Sequence, residues 1–167
     1  MRHLERLGLP DTADWTDTVG RLHRFALTLT HDGHAADDLT QQALANVLAR
    51  APGQIGNAAY LRRSLVRLWL DSQRSWRRRM AHLVRVAASA TRWKTDRDRA
   101  DEREQVERVR AAVALLPPRQ RAVLTLRLIE GLDYADIADM LGCSLESVRA
   151  SLHLARRRVR RVLGEEP

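Results

Sequence analysis

Between Gly131 and Arg161 lie residues whose types and spacing suit contact with a nucleic acid. Gly131 can end a helix, because glycine enters a left-handed cap without steric cost. Asp133 can cap the next helix, and Asp136 follows at capping-box spacing. Ile137, Ala138 and Leu141 mark one apolar face at helical spacing. Gly142 permits a sharp turn, and Ser144 is a natural N-cap for a second helix. That helix would pack Val148, Leu152 and Ala155 inward and run on into Arg156-Arg157-Arg158-Val159-Arg160-Arg161. Over residues 145–163 there are six arginines and one glutamate, more than a helix needs to complement its own dipole. Two helices joined by a tight turn, the second basic and open to solvent, have the shape and charge to enter a DNA major groove.

Two further groups lie in the first half of the chain. Asp37, Asp38, Gln41 and Gln42 fall at positions that share one helical face, opposite Leu39 and Val47. They can form a polar docking patch, or a solvated face whose carboxylates favour a helix N-terminus. Downstream, Arg62, Arg63, Arg67, Arg74, Arg77, Arg78 and Arg79 line one side of a long helical segment, with Leu61, Leu65, Leu68 and Trp69 on the other.

The elements that carry these groups read as all-α. Residues 1–15 form a lead-in; a helix follows from Trp15 to Thr30, and His31-Asp32-Gly33-His34 breaks it. A second helix begins near Ala35 and buries Leu39, Ala43, Leu44, Val47 and Leu48. Ala51 to Asn57, with a proline and two glycines, is a loop. A third helix spans about residues 58–79. Residues 80–103 read as a linker, where the sequence changes character and six basic residues mix with six acidic ones between Lys94 and Arg110. Val106, Val109, Val113 and Leu116 open a new apolar stripe, stopped by Pro117-Pro118; Val123, Leu124, Leu126, Leu128 and Ile129 form another. The expectation is two small helical bundles, residues 16–79 and 104–163, the second containing the helix-turn-helix.

Composition narrows the partners. The 167 residues carry a formal charge of +8 and a pI of about 11.1, which favours a polyanion, nucleic acid before an acidic membrane. Every basic residue but Lys94 is arginine, a bias consistent with a GC-rich genome. Cys143 is the only cysteine, so no disulfide forms within the chain and a cytoplasmic setting is expected. No apolar run approaches membrane-spanning length, and the first residues lack the apolar core of a signal peptide. His31 and His34 lack further ligands for a metal set; no glycine-rich phosphate loop and no nucleophile–base–acid arrangement stands out. The chain is therefore expected to work without cofactor or metal and not as an enzyme.

Several blocks together resemble a known family. Leu115 to Leu124, Glu130 to Ala138 and Leu141-Gly142-Cys143-Ser144 closely resemble region 4 of sigma-70-type RNA polymerase sigma factors. Ala36 to Ala43 resembles the polymerase-binding helix of region 2, and Ala59-Tyr60-Leu61-Arg62 through Asp71-Ser72-Gln73-Arg74 its promoter-melting helix. With only a linker between the regions, the chain resembles the extracytoplasmic-function group. The resemblance implies a subunit that binds core RNA polymerase through Asp37, Asp38, Gln41 and Gln42. It implies that Gln54, Ile55, Gly56 and Asn57 form a base-reading loop for an unpaired minus-ten strand. Arg62, Arg63, Arg67, Arg74 and Arg77 would hold phosphates there, and Trp76 would be a better stacking platform than Trp69. Glu146, Ser147, Arg149, Ala150 and His153 would face a double-stranded minus-thirty-five element, with Arg156 and Arg157 on its backbone. An anti-sigma factor is a further partner of such proteins. The chain departs from the pattern at Gln42, usually acidic; at Leu68, usually asparagine; and at Ser151 and Leu154, often arginine. Two other readings share the C-terminal motif: a stand-alone helix-turn-helix regulator, which has no need of residues 35–79, and a degenerate sigma-like protein that binds polymerase without opening DNA.

Overall fold

The periodicities along the chain become seven α-helices among the described residues, which in this computed structural model are 12–83 and 101–164. They are α1 (Thr12–Thr30), α2 (Gly33–Arg50), α3 (Ala58–Leu83), α4 (Asp101–Ala114), α5 (Pro118–Leu128), α6 (Tyr134–Leu141) and α7 (Leu145–Leu163). A single 3-10 turn, Pro52–Gln54, lies between α2 and α3. No strand occurs among the described residues.

The first bundle closes around Phe25 and Leu29 of α1, Ala43 and Val47 of α2, and Leu61, Leu65 and Trp69 of α3, all buried. The second closes around Leu116, Val123 and Leu126, Ile137 and Met140, and Val148 and Leu152. Burying each Leu, Val, Ile, Phe or Met side chain contributes about 1.5–3 kcal/mol, so the apolar stripes rather than helix propensity hold both bundles. The two bundles also touch: α1 and α3 pack on α5, and α3 packs on α6. Their buried residues form one continuous cluster.

Several boundaries differ from the sequence expectation for local reasons. The break between α1 and α2 is shorter than His31–His34. His31 alone takes the left-handed conformation, at φ 56°, and its N–H donates to Leu27 O at 2.8 Å. Asp32 then caps α2, its Oδ1 accepting from Ala35 N at 2.8 Å, so Gly33 and His34 are already helical. Helix α3 continues to Leu83 and α4 starts at Asp101, so helix enters the expected linker from both ends. Residues 84–100 lie outside the described residues, as do 1–11 of the lead-in. Leu48, expected in the core, is 50% exposed, and Leu128 and Ile129 are 58% and 60% exposed. Val106 and Val109 on α4 are exposed too, leaving Val113 and Leu116 to anchor that stripe.

Candidate nucleic-acid interface

The helix-turn-helix is built by the short-range rules that the sequence displays. Gly131 sits at φ 69° after α5, and Leu132 N returns to Leu126 O at 3.1 Å. Asp133 Oδ1 accepts from Asp136 N at 2.8 Å and starts α6. Gly142 ends α6 at φ 60°, a left-handed conformation that costs a side-chain-bearing residue about 1–2 kcal/mol. Cys143 N then donates to Ala138 O at 3.0 Å, and Ser144 Oγ accepts from Ser147 N at 3.2 Å to start α7. Val148, Leu152 and Ala155 are buried. Glu146, Arg149, Ala150, His153, Arg156 and Arg157 are exposed, and Ser147 is half-buried. These outward residues share the face opposite the buried seam, as a recognition helix requires. Of the two departures on α7, Ser151 is half-buried and Leu154 exposed.

Tyr134 is a neighbour of Arg149 that the sequence did not disclose. The Arg127 and Arg149 guanidinium groups lie 5.1 and 5.9 Å from its ring centroid. Arg127 Nη1 also donates to Leu132 O at 2.9 Å, which holds the turn before α6. The ring quadrupole attracts the Arg149 cation and narrows the directions in which it projects. At the far end of α7, Arg158 Nη1 donates to Gln120 Oε1 at 3.1 Å, and Arg108 Nη2 to Leu163 O at 3.2 Å. Arg158 of the basic run thus fastens α7 to α5, and Arg108 of α4 fastens the end of α7.

In the first bundle Asp37, Asp38, Gln41 and Gln42 are all exposed on one face of α2, and Leu39 and Val47 opposite them are buried. Asp37 Oδ1 lies 2.9 Å from His23 Nε2 of α1. The loop before α3 divides its residues. Ile55 is fully buried and anchors the loop in the core. Gln54 and Asn57 are exposed; Asn57 Nδ2 donates to Gln54 Oε1 at 2.9 Å, and Asn57 Oδ1 caps α3 by accepting from Ala59 N and Tyr60 N at 3.1 Å. Leu68 is half-buried against the core and Trp69 is buried.

The arginines of α3 are not equivalent. Arg67 is exposed. Arg74 Nη1 lies 3.5 Å from Asp71 Oδ1 on an exposed surface. Arg62 Nη1 meets Glu130 Oε2 at 2.5 Å, and Arg63 Nη2 meets Asp139 Oδ2. Both carboxylates belong to the second bundle. The side chains of Trp76, Arg77, Arg78 and Arg79 lie outside the described residues. Arg121 of α5 reaches the other way across the seam. It donates through Nη1 to Leu29 O at 2.8 Å and through Nη2 to Ala114 O and Leu116 O, and its guanidinium lies 5.6 Å from the Trp69 ring centroid. Burial pulls the Arg121 pKa below its ordinary value. Nearby His31 is also lowered, first by burial, then by the positive charges of Arg121 and Arg110, against a smaller opposing effect of Glu107.

No helix among the described residues is long and apolar enough to cross a membrane. No group of three or more His, Cys, Asp or Glu among them could hold a metal ion.

Two helical bundles, the second carrying a capped helix-turn-helix with a basic outward helix, place the chain in the helix-turn-helix class. Comparison with known proteins goes further. The family described as "Sigma-70, region 4" matches residues 106–159. The chain is 30% identical over 153 residues to the ECF RNA polymerase sigma factor SigE of Mycolicibacterium smegmatis, covering 87% of this chain and 58% of that protein. It is 30% identical over 151 residues to the ECF RNA polymerase sigma factor EcfG of Rhodopseudomonas palustris, covering 87% of this chain and 80% of that protein. Its fold is similar to the sigma factor RpoE of Bartonella quintana, solved with the anti-sigma factor NepR, at a TM-score of 0.67 and 21% identity over 90% of this chain and 94% of that one. The chain belongs to the extracytoplasmic-function group of sigma-70-type RNA polymerase sigma factors.

Proposed function

We propose that this protein is a transcription initiation factor that binds core RNA polymerase, recognises a two-part promoter and promotes DNA opening. The observation that carries the reading is the outward face of α7. Glu146, Arg149, Ala150, His153, Arg156 and Arg157 are exposed on a helix whose other face is locked by Val148, Leu152 and Ala155. In this reading α7 lies in the major groove of the minus-thirty-five element. Arg149, aligned beside Tyr134, contacts a base edge, with a guanine O6/N7 pair the best match for its fork. Arg156 and Arg157 contact phosphates.

Residues 16–79 act as the unit that meets polymerase and the minus-ten element, residues 104–163 as the unit that meets the upstream element, and the chain between them tethers the two. The exposed Asp37, Asp38, Gln41 and Gln42 dock on a basic surface of the polymerase. Gln54, Asn57, Arg62, Arg63, Arg67, Arg74 and Arg77 face the unpaired strand, where guanidinium groups track the backbone. An anti-sigma factor is a further partner in this reading, supported by the similarity to RpoE of Bartonella quintana, solved with NepR. No step asks for a cofactor or for catalysis by this chain.

Run-off transcription with purified core polymerase and a genomic fragment library tests the reading. Discrete transcripts that depend on the added protein are expected. Polymerase binding without open complexes on any fragment would favour the degenerate sigma-like reading instead.

A further inference from the structure

Helix α7 carries one side chain that neither the core nor a phosphate contact explains. Leu154 is 41% exposed and stands outside both the buried cluster and the apolar side chains packed against it. It is the one large apolar residue exposed between Leu145 and Arg161; the next, Val162, lies about two turns further along. A single exposed leucine is ordinary on a protein surface. This one is set among cations, because Arg149, Arg156 and Arg157 are exposed on the same helix. Ala150, one turn earlier, is exposed as well, so the two apolar side chains lie one above the other at i and i+4. Where the family often has an arginine, this chain therefore presents an apolar strip with no hydrogen-bond donor.

Resting on the promoter reading, we propose that Ala150 and Leu154 form a specificity strip that reads thymine 5-methyl groups in the major groove of the upstream element. Each base presents a different edge there. Guanine offers two acceptors that suit an arginine fork, cytosine an amino donor, and thymine a methyl group beside its O4. Leucine and alanine side chains neither donate nor accept. Against guanine or cytosine they cover a polar edge and leave it without a partner, which costs binding. Against thymine they bury apolar surface on apolar surface. The neighbouring arginines supply attraction to the DNA backbone, which carries no sequence information directly, so the strip discriminates without having to hold the duplex. Leu154 lies five residues beyond Arg149, about 7.5 Å along α7. That is roughly two base-pair steps of about 3.4 Å. The upstream element therefore places a thymine about that far from the base that Arg149 contacts. The leucine changes which sequence is chosen, beyond any loosening of the grip on phosphates.

Holoenzyme reconstituted from core polymerase and the full chain is first used to enrich duplexes from a randomised pool. On the enriched duplex each upstream thymine is then replaced in turn by deoxyuridine, which removes the 5-methyl group and leaves the pairing edge intact. At one position the replacement should weaken wild-type binding about fourfold, the effect of one buried methyl group. The same replacement should leave binding by Leu154→Ala holoenzyme unchanged, because the side chain that meets the methyl is gone. Leu154→Arg should enrich guanine at that position instead. Leu154→Ala should keep the urea midpoint of the wild-type chain, since Leu154 lies outside the core. An enriched element without thymine overturns the strip, as does deoxyuridine that weakens wild type and Leu154→Ala equally or weakens neither. In each of those cases an enrichment that Arg149→Ala relaxes still upholds the promoter reading. No enrichment by wild-type holoenzyme overturns the promoter reading, and the strip with it.

Discussion

Helices α3 and α7 both carry a row of arginines, yet their guanidinium groups meet different neighbours. On α7, Arg149, Arg156 and Arg157 are exposed on an outward face, with Arg149 aligned by a tyrosine ring. On α3, Arg62 and Arg63 end on carboxylates that lie 68 and 76 positions further along the chain. Composition treats the two rows alike. Their environments do not: Arg149 and Arg156 project on an outward face, whereas Arg62 and Arg63 are paired with carboxylates of the second bundle. An arginine row identifies a surface able to bind a polyanion, and what faces that row decides whether the surface is free to do so.

The largest effect should come from the residue that serves both bundles. Trp69 is buried in the first core and lies under Arg121 from the second. Trp69→Ala should cost about 3–5 kcal/mol in urea unfolding of the full chain. Ile137→Ala, a deletion of fewer atoms inside the second bundle only, should cost about 2–5 kcal/mol and leave the seam intact. A Trp69→Ala protein of unchanged dimensions and near-native stability would mean that the seam is not anchored at Trp69.

Next in size is the acidic face of α2. Asp37→Arg with Asp38→Arg reverses two exposed charges and leaves the buried face alone. Like charges brought together at an interface cost several kcal/mol. Affinity for core polymerase should fall by at least about a hundredfold, with helicity retained. Unchanged affinity would remove α2 as the docking element and turn attention to the second bundle.

The third test separates residues within α7. Arg149→Ala should cost about 1–3 kcal/mol on a cognate duplex and relax preference at one or two base pairs. Arg157→Ala should weaken cognate and scrambled duplexes alike and lower the salt slope by about one unit. Ser151→Arg should raise affinity with little gain in specificity. Duplex binding by the full chain across a salt series distinguishes them. Identical behaviour of the first two variants on both duplexes would show that α7 does not read sequence.

The contrast between the two rows also marks what a sequence discloses. The helix-turn-helix was legible because its signals are local. Gly131, Asp133, Gly142 and Ser144 act on backbone within a few residues, and each does in the structure what its type requires. The inward faces of α6 and α7 followed from periodicity. Periodicity could not tell that Leu48, Leu128 and Ile129 stay exposed, because it gives a face and not what covers that face. Nor could it find Ile55, the large apolar residue in a loop with a proline and two glycines, as a core anchor. The partners of Arg62, Arg63 and Arg121 were invisible for a stronger reason. They lie on elements brought together only by tertiary packing, and an arginine reads as a solvated charge until its acceptor is known.

The smallest expected effect concerns the joint between α1 and α2, and its sign is diagnostic. His31 is half-buried, sits at φ 56°, and has its pKa lowered by burial and by Arg121 and Arg110, with Glu107 opposing. In the unfolded chain its pKa should be near 6.5. Above that pH neither state binds the proton, and His31 makes stability no more pH-dependent. As pH falls below about 6.5, the unfolded chain takes up a proton that the folded chain resists. The stability contributed by His31 is then lost until pH falls below the folded value as well. Asparagine tolerates the left-handed conformation and does not titrate. The stability of His31→Asn relative to wild type should therefore rise between pH 7.5 and pH 5.5, as read by urea midpoints at matched ionic strength. Because Arg121 is one of the charges that disfavour the imidazolium, Arg121→Met should flatten the wild-type slope. Parallel stability curves for wild type and His31→Asn would show that His31 binds protons equally in both states, and that Arg121 does not act on it.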